Sequence, residues 1–286
     1  MGSFKKLVAS AYINTRPDHY TVQFAGRNVR FITDDRYTKR WYYRNRLKRT
    51  YRGYDEPSLT LFIERLSSTK RAFLDVGAHL GYFSILFASV PGNKALAIEL
   101  DPSNYRALVR AIEAQLDQMR KRIITSNVGI FDDHSAIEIP RERELDSSHQ
   151  IEVCAEPQED SVSVELVTID ELLERTSFCP DLVKIDIEGF EVHALRGTSE
   201  LLQKTRPMML IEVHPERIER LGESVSELFE ITEAAGYQHF RFEENRGRKG
   251  SMLTRDISTC NQQTWEAVCV HPDDQVGLAA IEEFLN

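Results

Sequence analysis

The sequence predicts an α/β protein with a doubly wound, mostly parallel sheet of seven strands, preceded by an N-terminal hairpin and helical extension. Two patterns carry that expectation. Short apolar runs recur near residues 73, 95, 124, 183, 209, 239 and 266, with helical spacing between the first five. Acidic and polar residues gather just after these runs, outside the strand carboxyl ends where open α/β sheets hold ligands. A chain of 286 residues, 41% apolar, can bury a sizeable core as one large domain with attachments. Residues 1–55 read as an extension and residues 56–286 as the main domain.

Taken in order, Tyr20–Phe24 and Val29–Ile32 are β-rich runs around Ala-Gly-Arg-Asn, a hairpin pattern. Arg36–Arg52 follows, with eight Lys/Arg, no acid and five interleaved aromatics. Such a stretch can stack on sugars or bases and hold phosphates, or it can be an amphipathic helix whose aromatics pack on the domain. Charge runs are more often solvated faces, which favours packing. A helix is expected from Ser58 through Leu66, leading into the first sheet strand.

The stretch Phe73–Ser84 joins a short apolar strand to a helix through Asp75-Val76-Gly77-Ala78-His79-Leu80-Gly81. Asp75 ends the strand, and Tyr82, Ile85 and Leu86, with Ser89, can cover one helix face. Glycines are expected where backbone adopts positive φ or approaches a ligand, with helix-terminal N–H groups facing what is bound. His79 occupies the position of the second glycine in a dinucleotide fingerprint, so that pattern fails, leaving a different cofactor turn or an ordinary strand-to-helix turn. Asp-x-Gly-x-x-x-Gly remains, and a strand-end carboxylate suits a cofactor carrying an ammonium and a sulfonium. Lys94–Ile98 is the next strand, closed by Glu99, whose carboxylate can accept from both hydroxyls of a ribose.

Pro102–Met119 reads as helix and Arg122–Gly129 as strand, which brings Asn127 and Val128 to the edge that holds Asp75 and Glu99. There they would flank an adenine. Residues 132–160 are polar, with Ile137–Ile139 and Ile151–Val153 as hairpin strands and Ser147, Ser148 and His149 at the tip, either a lid or a surface excursion. Val162–Thr168 is β-rich and Asp170–Thr176 a short helix. Strand Leu182–Ile185 delivers the densest polar cluster, Lys184-Ile-Asp186-Ile-Glu188-Gly189-Phe-Glu191-Val-His193. Unpaired carboxylates pack poorly in a strand, so these must meet solvent, cations or substrate. Met208–Val213 follows, with Glu212 and His214 on one side of its end by alternation. His214 is either a proton acceptor near neutral pH or a structural histidine. Val225–Ala235 is helix, Gln238–Phe242 and Thr264–Val270 strands, and Ile281–Phe284 a short terminal helix.

The net charge is −9, and outside Arg36–Arg52 the chain carries 28 basic and 45 acidic residues, or −17, which argues against bulk nucleic-acid affinity. Cys154, Cys179, Cys260 and Cys269 lack zinc or Cys-x-x-Cys spacing and read as reduced structural thiols. Apolar stretches are too short to span a membrane, and the N-terminus lacks a signal h-region, so a cytoplasmic protein is expected.

Four motifs in order, Phe73–Ser84, Ala97-Ile-Glu-Leu-Asp-Pro, Val183-Lys-Ile-Asp-Ile-Glu-Gly-Phe-Glu and Leu210-Ile-Glu-Val-His, resemble those of the FkbM-type class I S-adenosylmethionine (SAM) dependent methyltransferases. Val167-Thr-Ile-Asp170 and Ala194-Leu-Arg-Gly197 add to the likeness, which runs from Glu56 to about His271. The family more often has Asn where His79 stands and Pro where Leu100 stands. The resemblance implies a Rossmann-like fold and O-methylation of a hydroxyl on a sugar, glycolipid or secondary metabolite. It places SAM on Glu56, Asp75, Gly77, Ala78, His79, Gly81, Tyr82 and Phe83, and beyond the turn on Glu99, Leu100, Asn104, Asn127, Val128 and Asp186. Lys184, Asp186, Glu188, Glu191, Glu212 and His214 would form the acceptor and catalytic side.

Either His214 or one of Asp186 and Glu188 would be the general base. A variant has Asp186, Glu188 and Glu212 holding Mg²⁺, which would lower the hydroxyl pKa. The expected partner is a hydroxylated small molecule or glycan, with room for an anionic one at the cationic stretch. Two rivals stand beside this reading: a nucleic-acid methyltransferase using Arg36–Arg52, and a SAM-binding protein without turnover. Asp186-Ile-Glu-Gly stands where a base-methylating enzyme would carry an Asn/Asp-Pro-Pro-Tyr type signature, so nucleic acid is the less favoured partner.

Overall fold

The structure, a computed structural model, describes residues 12–47, 54, 56–140, 159–243, 252–257 and 263–285. Strands β1 (His19–Phe24) and β2 (Arg27–Ile32) pair antiparallel through a two-residue turn, Ala25 and Gly26, both at positive φ. That turn geometry matches the twist of the strands it joins. Alternation puts Tyr20, Val22, Phe24, Val29 and Phe31 on one buried face. Helix Arg36–Leu47 follows, and helix Pro57–Leu66 starts with Pro at a position where its missing N–H costs nothing.

The remaining strands are β3 (Ala72–Val76), β4 (Lys94–Ile98), β5 (Ile123–Ser126), β6 (Gly129–Ile130), β7 (Ser135–Pro140) and β8 (Ser161–Val167). They continue with β9 (Leu182–Ile185), β10 (Met208–Val213), β11 (Gln238–Phe242), β12 (Leu253–Thr254) and β13 (Trp265–Val270). The central sheet has eight strands in the order β12-β11-β13-β10-β9-β3-β4-β5. The seven expected strands are all present, and the two-residue β12 adds an edge. β5, β4, β3, β9 and β10 run parallel, whereas β13 inserts antiparallel between β10 and β11. Winding reverses between β3 and β9, which opens the ligand crevice of an α/β sheet at their carboxyl ends.

β3, β9 and β10 are buried on both faces, as their near-continuous apolar runs require. Phe73, Ala95, Leu182, Leu210 and Val268 pack with the hairpin and with helices Pro57–Leu66, Tyr82–Ser89 and Pro102–Glu113. Leu74, Leu96, Val183, Met209 and Ala267 pack on the other face with helices Ile169–Thr176 and Val225–Ala234.

Four local expectations change. The strand expected over Arg122–Gly129 ends at Ser126, because Gly129 starts β6, which pairs with β8 in a second sheet. β7 pairs antiparallel with β8, which also carries β6, so Ile137–Ile139 belongs to a three-stranded second sheet; Ile151–Val153 and Ser147–His149 lie outside the described residues. The helix from Pro102 stops at Glu113, and Asp117–Arg120 is a separate turn, because Leu116 finds no core and stays 82% exposed. The terminal helix is Gln275–Glu282, earlier than Ile281–Phe284, because Asp274 caps it by accepting from the Gly277 N–H. Cys179 is exposed and Cys269 buried, both free thiols, while Cys154 and Cys260 lie outside the described residues.

Candidate active site

The β3–helix turn is closed by its own hydrogen bonds. Gly77 and Ala78 N–H donate to the Ile98 carbonyl, Gly81 N–H to the Ala78 carbonyl, and His79 N–H to Glu99 Oε2 at 2.7 Å. The N–H groups of Gly77, Ala78, His79 and Gly81 are thus bonded within the protein. Gly77 (φ 82) has a second reason to be glycine, since a Cβ there would lie 1.9 Å from the Asp186 carbonyl oxygen. The turn and the end of β9 are thus in direct contact.

Asp75 Oδ2 accepts from Ser84 N–H at 3.1 Å and Ser84 Oγ at 2.6 Å, tying β3 to the following helix. Its Oδ1 is buried with no hydrogen-bond partner among the described residues. Burial pushes the Asp75 carboxyl up, against the Lys184 charge that holds it down. Glu99 is buried, and its Oε1 accepts the Asp101 N–H at 3.0 Å; burial pushes it up to about 7 although both backbone bonds favour the ionised form. Asn104 also bonds to Glu99. Asn127 Nδ2 donates to the carbonyls of Glu99 and Leu100 at 2.7 and 2.9 Å, so its oxygen is the atom left for an adenine amino group. Val128 is buried in the lower apolar cluster. An orphaned carboxylate oxygen, a diol-facing type of carboxylate and an amide acceptor at three adjacent strand ends fit SAM. Phosphate would be repelled by the same groups.

His79, at φ 51, does not stand alone: its Nε2 is 2.6 Å from Tyr37 Oη, and its ring meets Trp41 edge-on. Tyr82 packs with Phe31, Trp41 and Phe83. Trp41, Tyr42 and Tyr43 are buried on the hairpin, Tyr42 stacking on Tyr20 and Phe31. The aromatics of the cationic stretch that the structure describes are core, as the packing alternative expects; Lys48–Arg52 lies outside the described residues.

Strand register then lines up a row of buried charges on the face covered by helix Pro57–Leu66. Asp75 pairs with Lys184, Lys184 with Leu210, and Glu212, two residues on, with Glu266. Lys184 Nζ bonds Asp186 Oδ2 at 2.8 Å and lies 5.3 Å from the Phe83 ring centre. Burial opposes the ammonium, but the charges of Asp186, Glu56, Asp75 and Glu266 outweigh it and hold the proton firmly. Asp186 is held down at about 2 because Lys184 and His214 overcome its desolvation. Glu56, Glu212 and Glu266 each bring a carboxylate oxygen within 4.8 Å of the others. Burial, then mutual repulsion, pushes Glu212 well above the usual range and Glu266 up to about 8.

His214, 6% exposed, is bonded on both ring nitrogens, Nδ1 to Glu191 Oε1 at 2.9 Å and Nε2 to Glu188 Oε2 at 3.1 Å. Burial disfavours its charge, but the Glu191 hydrogen bond and charge outweigh that and push it up to about 9. At neutral pH the ring carries its proton and has no lone pair to offer an alcohol. Arg217 also bonds Glu188. Gly189 (φ 116) lets the loop close, because a Cβ would sit 2.7 Å from Arg217 Cβ.

The structure therefore gathers Lys184, Asp186, Glu188, Glu191, Glu212 and His214 in one place, but groups Glu188 with Asp186 and His214, and Glu212 with Glu56 and Glu266. Glu266 and Arg217 escaped the sequence reading. A lone acid inside Trp-Glu-Ala-Val-Cys-Val was the available signal for Glu266.

A 3-2-1-4-5-7-6 strand order with an antiparallel seventh strand, and carboxylates at the first two strand ends, define a class I SAM-dependent methyltransferase with a Rossmann-like fold. The family model for the methyltransferase FkbM domain matches residues 75–239, more than half of the chain. The chain belongs to the FkbM methyltransferase family. No curated protein sequence matches it significantly.

Similar solved structures include an FkbM methyltransferase from Methylobacillus flagellatus KT, at 16% identity and a TM-score of 0.46, covering 81% of this chain and 59% of that one. A TehB-like SAM-dependent methyltransferase from Corynebacterium glutamicum ATCC 13032 Kitasato shares 16% identity, TM-score 0.40, over 82% and 96% of the two chains. A precorrin-6y C5,15-methyltransferase from Geobacter metallireducens GS-15 shares 10%, TM-score 0.41, over 74% and 86%. This chain spans 59% of the length of the first. At these identities the likeness is one of fold. No helix among the described residues is long and apolar enough to cross a membrane.

Proposed function

We propose that the protein is an O-methyltransferase acting on a hydroxyl of a sugar, glycolipid or secondary-metabolite acceptor in the cytoplasm, with residues 56–286 as the catalytic domain and 1–55 as its extension. The observation that supports this is an ionised carboxylate, Asp186, on the residue at the end of β9 whose backbone carbonyl abuts Gly77 of the turn. SAM supplies an electrophilic methyl carbon, held by Asp75, Glu99 and Asn127 with the turn behind them. Acceleration then comes mainly from holding the acceptor oxygen at near-attack distance. Of the candidate bases, Asp186 is assigned the role by its place at the β9 end beside the turn, since His214 is already protonated and Glu188 is shared by His214 and Arg217. Pairing with Lys184 keeps Asp186 ionised but a weak base, so positioning carries most of the acceleration. Lys184 fixes Asp186 in place, while Glu191 and Glu188 fix His214, so these three act by positioning. Mg²⁺ on Asp186, Glu188 and Glu212 is disfavoured by the same pairing of Glu188.

The test is calorimetric titration with SAM, S-adenosylhomocysteine and NADH on wild type and Glu99→Ala, followed by methyl transfer from labelled SAM to a panel of hydroxylated acceptors. SAM binding that Glu99→Ala weakens, no heat from NADH, and label on an acceptor oxygen support the reading. Label on a nitrogen or carbon, or tight salt-dependent RNA binding, overturns the acceptor class. Asp186→Asn is expected to cut turnover by about 10²–10⁴-fold with SAM binding retained, and full turnover would remove Asp186 as base.

A further inference from the structure

Glu266 is buried at 1% exposure as the second residue of β13, and neither of its carboxylate oxygens has a hydrogen-bond partner among the described residues. A buried carboxylate without partners is costly unless a cation meets it. Its oxygen lies within 4.8 Å of one from Glu212, its cross-strand partner, and one from Glu56 at the start of helix Pro57–Leu66. The charges that bear on Glu266 are Glu56 and Asp186 on the negative side, and Lys184 and His214 on the positive. Lys184 is bonded to Asp186, and His214 lies between Glu188 and Glu191. Three carboxylates therefore converge on one space, and the described cations that bear on Glu266, Lys184 and His214, are each bonded to another acid.

We propose that Glu56, Glu212 and Glu266 form a divalent-cation site for a hard ion of the Mg²⁺ or Mn²⁺ type. All-oxygen ligation by carboxylates suits these ions over softer ones, and three protein oxygens leave positions for water or acceptor oxygens. The second acid cluster, Asp186–Glu188–His214, is the poorer site because its histidine nitrogens are both bonded and its Glu188 is held by Arg217. The binding site is independent of which acceptor is methylated.

The experiment is an Mn²⁺ titration of the chelator-treated full chain, with free Mn²⁺ read by electron paramagnetic resonance, on wild type, Glu266→Gln, Glu212→Gln and Glu188→Gln. One Mn²⁺ per chain is expected, weakened at least about tenfold in Glu266→Gln and within about twofold of wild type in Glu188→Gln. Glu212→Gln carries the same expectation as Glu266→Gln and decides the matter if that variant does not fold. No binding to wild type, binding retained in the folded Glu266→Gln, or equal weakening in Glu188→Gln overturns the proposal. SAM titration of the same samples separates the two readings: lost SAM binding tells against the transferase, not against the ion site.

Discussion

Replacing Glu191 by Gln removes one charge and keeps the shape. Glu191 is fully buried, accepts the Gly189 N–H at 3.0 Å and bonds His214 Nδ1 at 2.9 Å. Gln can still accept from Gly189, so the change isolates the ion pair. His214 is raised from 6.5 to about 9, chiefly by Glu191 against the cost of burial. A folded pKa above the unfolded value means stability fully present below about 6.5 and lost as pH rises through about 9. A rise of that size is worth about 3 kcal/mol at pH 6, about 2.5 at pH 7 and close to zero by pH 10.5. Glu191→Gln should therefore destabilise by about 2–3 kcal/mol at pH 7, in line with breaking a buried pair from one side, and by little at pH 10.5. Urea denaturation of both proteins at pH 6, 7, 8.5 and 10.5 measures the difference directly. A penalty that is constant across this range, or that grows with pH, would refute the assignment of His214 as a buried imidazolium.

Gly77→Ala should cost at least about 2 kcal/mol, since it adds a left-handed residue and a Cβ 1.9 Å from the Asp186 carbonyl; unchanged thermal stability with normal SAM affinity would contradict the turn geometry. Tyr42→Ala, which empties a buried site stacked at 5.0 Å on Phe31, should cost about 3–5 kcal/mol by urea denaturation, and a loss under about 1 would mean the hairpin is not anchored there. Glu99, raised from 4.5 to about 7, holds stability that is present below 4.5 and lost as pH rises towards 7. Glu99→Gln should lose less stability than wild type over that window, by up to about 3 kcal/mol, and parallel pH curves would show that Glu99 ionises freely.

Elements with a strong local signal were legible from sequence. Strands near 73, 95, 183, 209, 239 and 266 are buried on both faces or alternate cleanly, and the glycines of the turn mark positive φ; each signal lies within a few residues of its effect. Asp75 and Glu99, proposed to hold SAM, stand at strand ends that periodicity already placed. The second sheet was not, because β7 finds its partner in β8 across a polar interval that carries no pairing signal.

The sequence by itself determined the wound sheet, the glycine turn after its first strand, and the list of acids at the strand ends. Tertiary structure alone decided what those acids do. Glu191 and Glu188 turn His214 from a candidate base into a cation, and the antiparallel insertion of β13 brings Glu266 to Glu212, 54 residues away in sequence, beside Glu56 from the other end of the domain. Trp41, Tyr42 and Tyr43 of the cationic stretch likewise became core once the hairpin gave them a surface to cover. Protonation and ion binding depend on burial and on charges a few ångströms away, and no local pattern of residues records those distances.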